Sequence, residues 1–448
     1  MARTATRAAT AAVTAALTLL PATAATAAGS TVVAGSTVWS TANSVATGDQ
    51  DVPSVAANRN GYVAVVWEDD RDTGDAADTA HSEIYLRLFR DGVPVYEIKL
   101  SGAGTSGVAW RHIAPDVGLD DRGNAVVVWA DDPDGNGFYN VPYRVVTPAG
   151  TVHASSYANA SAAGQQLWPK VSVDPDGTPN APAAVAFTVV WEDIQGSAPA
   201  TVRAAGYTNI TTKVYEVTAS HATGAHRRPD VAVGASGDAV AVWDSDADAN
   251  GFDNIGLTRL AKANGAVNLS RRTANADGGG QQRRAVVAAN FAGDFAVAWE
   301  SDHSGTAGVW TRSFAAAGNP RHGDIEISAG AGAAAPSIGV DDQGNTVLGW
   351  TVLADPMLVD PMLVDPDTWI RGLGPDGTAA GRLPAQRLSQ TSTGRQEGAA
   401  VAVSPWSEVG LAYTDDNDGN TFDQVILGLG LINAEWVAAL KRRPTTLR

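Results

Sequence analysis

Three acidic loops contain the residues whose types and spacing are best suited to chemistry. Each loop has oxygen-bearing side chains at its first, third and fifth positions, and the first two loops have glycine at the sixth. This spacing lets a tight turn wrap around a hard cation, and all-oxygen ligands favour calcium. We therefore predict calcium in at least one loop, with simple turn formation by Asp, Asn and Gly as the alternative. The predicted ligands are Asp132, Asp134 and Asn136; Asp246, Asp248, Asn250 and Asp253; and Asp416, Asp418, Asn420 and Asp423.

Amide and imidazole side chains form a second recurring set. Each stands three residues before a proline, or its equivalent, near the start of a repeated unit. Six units have such a side chain, and Ala333 replaces it in the remaining one. We predict a ring of ligand-binding groups; the alternative is that each side chain ties neighbouring backbone segments together. The six residues are Gln50, His112, Gln166, His226, Gln282 and Gln396.

The elements that position both sets are revealed by an internal repeat. Seven segments of the type Val-Val-Trp recur in register, usually with a glycine six residues before the aromatic residue. Each unit reads as four short strands separated by turns. The aromatic residues are Trp67, Trp129, Trp191, Trp243, Trp299, Trp350 and Tyr413.

Four antiparallel strands make one blade of a propeller, and blades are stable only when they pack on one another. We therefore predict an all-β, seven-bladed β-propeller spanning residues 29–432. The segment Thr31–Trp39 has no partner in the first unit, so we expect it to close the ring as the outer strand of the last blade. Residues 433–448 then form a C-terminal tail. The alternative architecture is a pair of β-sandwich domains, which does not explain seven copies in register.

The repeated units resemble two known groups of sequences. The acidic loops are similar to the cation loops of integrin-type FG-GAP propeller repeats, which implies calcium. That family has its closing acid at the ninth loop position, where this chain has Asn140, Asn254 and Gln424. The units also resemble glycine and Val-Val-Trp repeats that are common in exported bacterial proteins.

The N-terminal segment and the net charge indicate the cellular compartment and limit the possible binding partners. Arg3 and Arg7, a short apolar run and Ala-x-Ala sites make residues 1–28 a predicted signal peptide, so we expect a secreted, extracellular protein. No later stretch is long enough for a membrane span, and no cysteine is present. The formal net charge of −17 argues against nucleic-acid partners.

These features favour a secreted binding or adhesion module, monomeric and stabilised by calcium. Its ligand, a glycan or a protein, is expected on the face that carries the acidic loops. The alternative is a secreted carbohydrate-active hydrolase or lyase on the same scaffold. Binding is preferred over catalysis because the sequence contains no recognisable catalytic motif and because no pair of acids could be placed at the propeller axis.

Overall fold

The computed structural model describes residues 38–72, 81–102, 110–176, 185–328, 332–353, 366–379, 383–391, 394–416 and 422–431. The predicted signal peptide, the predicted tail and the first part of the predicted closing strand lie outside these ranges. All described residues belong to one compact unit that spans residues 31–448. In the described ranges the regular elements are all strands, which confirms the prediction of an all-β chain, and no helix there could cross a membrane.

The described residues form 28 strands, most of them five to ten residues long. The strands are β1 (Val38–Thr41), β2 (Gln50–Ala57), β3 (Tyr62–Asp69), β4 (His81–Arg90), β5 (Val93–Lys99), β6 (Trp110–Leu119), β7 (Ala125–Asp132), β8 (Pro142–Val146), β9 (Val152–Tyr157), β10 (Gln165–Val173), β11 (Phe187–Ile194), β12 (Thr201–Tyr207), β13 (Lys213–Thr218), β14 (Ala225–Val233), β15 (Ala239–Asp246), β16 (Asn254–Leu260), β17 (Val267–Thr273), β18 (Gln282–Ala289), β19 (Phe295–Ser301), β20 (Gly308–Phe314), β21 (Ile325–Glu326), β22 (Ala333–Val340), β23 (Thr346–Val352), β24 (Asp367–Leu373), β25 (Gln386–Arg387), β26 (Gln396–Val403), β27 (Glu408–Asp415) and β28 (Gln424–Leu431).

Successive strands pair antiparallel in groups of four. Five sheets of the described chain have four strands, and a sixth has eight. The eight-stranded sheet consists of two four-stranded groups, β2–β5 and β6–β9, joined by a short parallel pairing between β4 and β6. The prediction of four-stranded antiparallel units is therefore confirmed.

The last sheet combines strands from both ends of the described chain. Its order is β1-β28-β27-β26, with Trp39 opposite Gly428. A Cβ atom on Gly428 would lie only 2.5 Å from the indole of Trp39, so glycine is required for this close approach. The same indole meets the ring of Tyr413 edge-on, with 5.9 Å between the ring centroids.

The repeated aromatic residues lie in the second strand of each group, and each has a relative exposure of 2% or less. They pack between neighbouring sheets, where burying one large aromatic side chain contributes about 2–3 kcal/mol. One core cluster joins Trp67 and Val65 of the first sheet to Ala412 and Leu427 of the last. The first and last sheets of the series are therefore packed against each other, as consecutive sheets are.

Candidate functional site

The six predicted ligand residues of the amide and imidazole ring all have relative exposures of 0–1%. Three of the glutamines donate their side-chain N–H to a backbone carbonyl three residues earlier. Gln50 donates to Thr47 at 2.8 Å, Gln166 to Ala163 at 2.7 Å, and Gln282 to the carbonyl of Gly279 at 2.6 Å. Each bond holds the segment that crosses from one sheet to the next. This arrangement favours the structural alternative for the ring.

The two histidines of the ring have both imidazole nitrogens occupied. His112 contacts the carboxylate of Asp131 through Nδ1 and the carbonyl of Gly102 through Nε2, at 2.9 Å. His226 lies 3.2 Å from the Ser245 hydroxyl and 2.9 Å from the Thr223 carbonyl, and burial lowers its pKa. Neither ring presents a free nitrogen to a ligand in this structure.

The first two acidic loops have the same internal geometry. The carboxylate of Asp132 accepts backbone N–H bonds from Asn136 at 3.0 Å and Gly137 at 2.9 Å. Asp246 accepts in the same way from Gly251, at 3.3 Å. The side-chain amides of Asn136 and Asn250 donate to Asp134 and Asp248 at 2.9 and 2.8 Å. Both loops therefore close on themselves through their own side chains.

The remaining predicted metal ligands are divided between described and undescribed parts of the chain. Asp253 faces Arg283 at 3.4 Å. Burial and the neighbouring Asp49 raise the pKa of Asp423 to about 7. Asp418 and Asn420 lie outside the described residues. Within the described ranges, no three His, Cys, Asp or Glu side chains are grouped closely enough to hold a metal ion.

A cavity of about 610 Å³, which we call the central cavity, is lined by the first strand of all seven four-stranded groups. These strands are β2, β6, β10, β14, β18, β22 and β26. The cavity lies near the starts of these strands, on the side where the chain crosses from sheet to sheet. The wall is therefore built from equivalent positions of the seven strands.

Each of these strands contains a bulge with a left-handed residue, at a φ between 46° and 67°. A bulge places one extra residue in the strand and re-aims the side chains around it. All of these residues except Ala114 line the central cavity. They are Val52, Ala114, Trp168, Arg228, Arg284, Ala335 and Gly398.

In three units, the acid that follows the repeated tryptophan supports the bulge of the next four-stranded group. Glu68 accepts the backbone N–H of Ala114 at 2.7 Å, and Glu300 accepts that of Ala335 at 2.7 Å. Glu192 makes the equivalent bond to Arg228 at 3.0 Å. The Trp-Glu pair of the repeat is thus a link between sheets.

Three charged side chains lie together in the central cavity: Asp116, Lys170 and Asp230. The ammonium of Lys170 lies 3.4 Å from Asp116, which also accepts the hydroxyl of Ser54 at 2.8 Å. Burial raises the pKa of Asp230 to about 6, with Lys170 opposing that shift. Burial alone would lower the pKa of Lys170, but the carboxylates of Asp116 and Asp230 raise it, so the ammonium form is retained.

The sequence-based statement that no acid pair could be placed at the axis is wrong. Asp116 and Asp230 both directly follow the proline of their strand, and both line the central cavity. A Pro-Asp pair at the same position of two units was the signal that could have found them.

The rim of the cavity includes an exposed aromatic ring and two arginines. Trp168 has a relative exposure of 47%. Arg228 pairs with Asp244 at 3.3 Å, and Arg284 pairs with Glu300 at 3.0 Å. The rim therefore offers a flat apolar surface beside oriented guanidinium groups.

The opposite ends of the same strands, which we call the narrow end, line a second and smaller cavity of about 210 Å³. Its lining is mostly valine, alanine and glycine, and a Cβ on Gly118 would lie 2.7 Å from Val173. The guanidinium of Arg59 stacks on Phe291, 4.2 Å from the ring centroid, and lies 3.0 Å from Asp121. Arg59 and Phe291 belong to different sheets, so this contact spans the narrow end, and the wider end is the better route for a ligand.

Comparison with known proteins gives similarity at the level of solved structures alone. No family model and no curated protein matches the chain. A protein of unknown function from Dyadobacter fermentans is 12% identical, with 90% of this chain and 100% of that chain covered and a TM-score of 0.47. An α-L-arabinofuranosidase from Fusarium graminearum is 9% identical, with 73% and 96% covered and a TM-score of 0.47. A sialidase from Streptococcus pneumoniae is 10% identical, with 88% and 70% covered and a TM-score of 0.46. These values are too low to assign an activity to this chain.

Proposed function

We propose that this chain is a carbohydrate-active hydrolase or lyase whose active site is the central cavity of a seven-bladed β-propeller. The ring is supported by the seven in-register repeats and by the seven strands that line one cavity. It is also supported by the packing of the first sheet on the last and by the pairing of β1 with β28. In this arrangement β1 is the closing strand.

The observation that carries the proposed activity is the group Asp116, Lys170 and Asp230 in a cavity with Trp168 at its rim. A hydrolase needs two carboxyl groups whose environments keep them in different protonation states. The preference for a binding module depended on the absence of such a pair. Because two carboxyl groups line the central cavity, we favour the enzyme.

The proposed roles follow from the surroundings of each group. Asp230, with a pKa of about 6, is part protonated near neutral pH and can donate a proton to a leaving oxygen. Asp116 serves as the second carboxyl group, held by Ser54 and the backbone N–H of Val171. Lys170 supplies a positive charge beside the reacting groups, and Trp168 supplies a stacking surface for a sugar ring.

A binding module is the second candidate, and a specific observation favours it. Asp116 accepts the backbone N–H of Val171 at 2.8 Å, and Asp230 accepts that of Val287 at 2.7 Å. Each acid therefore also ties its strand to the next one. A protein that only binds its ligand needs those ties equally.

The test is a polysaccharide-cleavage screen with a parallel binding measurement. New reducing ends indicate hydrolysis, and the ultraviolet absorbance of an unsaturated product indicates a lyase. We expect Asp230→Asn to abolish cleavage but to keep binding, and Trp168→Ala to weaken both. Asp91→Asn, in an exposed turn outside the cavity, is the matched control and should leave both unchanged. Glycan binding by the wild type without cleavage would favour the binding module, and full activity in Asp230→Asn would refute the assigned role.

We further propose that the protein is secreted after removal of residues 1–28 and that calcium stiffens the acidic loops. Support for calcium comes from the 1-3-5 spacing and from the shared geometry of the loops at Asp132 and Asp246. An ion that binds only the folded state must raise the melting temperature of the protein. We expect a rise at millimolar calcium that chelation reverses and that Asp132→Ala with Asp246→Ala removes. An unchanged melting temperature would exclude a stabilising site.

A further inference from the structure

Four arginines lie side by side at the starts of two neighbouring innermost strands. They are Arg227 and Arg228 of β14, and Arg283 and Arg284 of β18; we call them the arginine arc. The whole chain has 31 basic residues against 48 acidic ones. The mouth of the central cavity is therefore locally rich in arginine, although the chain as a whole is acidic.

The arc is accessible from solvent. The side chains of Arg228, Arg283 and Arg284 are 41%, 47% and 51% exposed, and Arg227 is also exposed. Arg228 and Arg284 line the cavity itself. The arc is thus continuous from the rim into the proposed active site.

The arc is only partly neutralised by its neighbours. Three of its members have one ion pair each: Arg228 with Asp244 at 3.3 Å, Arg284 with Glu300 at 3.0 Å, and Arg283 with Asp253 at 3.4 Å. Among the described residues, no acid lies within 4.0 Å of the guanidinium of Arg227. Each pair is made through a single nitrogen, so the guanidinium groups keep donors for a further partner.

The opposite side of the mouth carries acids where the arc has arginines. Asp51 of β2 and Glu397 of β26 stand at the position that Arg227 and Arg283 occupy in β14 and β18, the residue before the bulge. Glu397 is paired with Arg395, and burial and neighbouring carboxylates raise the pKa of Asp51 well above its usual range. The cations that an anionic ligand could contact therefore lie on the side of the arc. Trp168, on the strand next to β14, gives that side its apolar surface.

From this placement, and resting on the proposed function, we infer that the substrate is a carboxylated polysaccharide of the polyuronate type. Its carboxylates contact the arginine arc while a sugar ring lies on Trp168. Guanidinium groups match carboxylates in a planar, two-bond geometry, which distinguishes them from lysine. The formal charge of −17 repels long polyanions at a distance, so short segments or chain ends are the favoured ligands.

The experiment measures calorimetric binding of a trigalacturonate, its methyl ester and a neutral trisaccharide to the mature chain. We expect the acid to bind about tenfold or more tightly than the ester, a difference that corresponds to about 1.4 kcal/mol. Arg228→Gln with Arg284→Gln should remove that preference. The matched control is Arg90→Gln with Arg321→Gln, which makes the same change of charge outside the cavity and should change the affinity by less than about twofold.

A second pair of variants protects the test against loss of folding. Replacing Arg228 leaves Asp244 buried without its partner, so the stability of that variant must be checked by its melting temperature. Arg227→Gln with Arg283→Gln changes exposed members of the arc, and it should weaken binding of the acid by about threefold to tenfold without affecting folding. Equal binding of acid and ester, or equal affinities in the arc and control variants, would overturn the inference.

The outcomes separate this inference from the proposed function. Cleavage of a neutral polysaccharide that is unaffected by the arc variants overturns the polyuronate assignment and leaves the enzyme intact. Binding of the acid without cleavage of any polyuronate supports the arc and refutes the enzyme. Equal binding of a sulfated oligosaccharide with the same loss in the arc variants shows recognition of charge alone, which overturns the carboxylate assignment.

Discussion

Exchanging alanine for glycine at two adjacent positions of β22 tests the repeated bulge directly. Ala335 has a φ of 51°, in the left-handed region, whereas Ala334 is not among the residues with positive φ and pairs with Thr351 in the ladder. A left-handed residue other than glycine costs roughly 1–2 kcal/mol. Glycine in the unfolded chain gains about 0.5–1 kcal/mol of conformational freedom that folding must remove.

The changes in the free energy of unfolding caused by the two substitutions should therefore have opposite signs, or one of them should be close to zero. For Ala335→Gly, relief of the left-handed strain offsets the entropic cost, so the free energy of unfolding should change by roughly 0 to +1 kcal/mol. For Ala334→Gly there is no strain to relieve. The entropic cost adds to the loss of a buried methyl group, for a total of about −1.5 kcal/mol. The neighbours should differ by about 2 kcal/mol.

Urea unfolding followed by tryptophan fluorescence measures this difference as a shift of the midpoint. The reverse exchange in the last sheet provides a control, because a Cβ on Gly398 would meet its nearest neighbours at 3.5 Å, an ordinary contact distance. Gly398→Ala should therefore lose about 1 kcal/mol from backbone strain alone. Equal losses for Ala334→Gly and Ala335→Gly would show that the bulge is not left-handed, and the account of the cavity wall would fail with it.

Three further predictions concern stability. Burial raises the pKa of Glu68 and of Asp244 to about 7, so the folded state holds protons that the unfolded state releases above about pH 4. The free energy of unfolding should therefore fall as the pH rises from 4 through 7, and Glu68→Gln should flatten that profile in calorimetry. A higher melting temperature at pH 8 than at pH 5 would contradict this prediction. Arg59→Met removes the stacking on Phe291 and should cost about 1 kcal/mol in urea unfolding without changing glycan binding; a large loss of binding would place the ligand at the narrow end. Trp243→Ala should lose about 3–5 kcal/mol, and a loss below about 1 kcal/mol would mean that the residue is not part of the core between sheets.

The repeated sequence predicted the strands and the core because both depend on local, periodic information. Val-Val-Trp places apolar side chains on both faces of a strand that is buried on both sides, and a glycine with positive φ at the preceding turn, such as Gly61, completes the hairpin. Repetition of the pattern then fixed the number of units. These features can be read from the sequence without a three-dimensional structure.

The candidate site was missed because of the bulge. An extra residue in a strand reverses which side chains point to which face. Gln166 precedes the bulge and is buried between backbone segments, whereas Lys170 follows it and lines the cavity. The left-handed residues themselves are as different as Val52, Trp168 and Gly398, so no residue type marks the position in the sequence.

The left-handed bulges also bear on how such a chain can acquire new specificities. At each of these positions the backbone sets the direction of the side chain, and at three of them a carboxylate accepts the backbone N–H, as Glu300 does for Ala335. The residue there contributes little to the core, so its identity can change with small effect on folding. The same backbone can therefore carry different residues at these seven positions. Trp168 and Arg228 occupy two of these positions at the rim of the central cavity, and substitutions there would change the surface that the cavity presents.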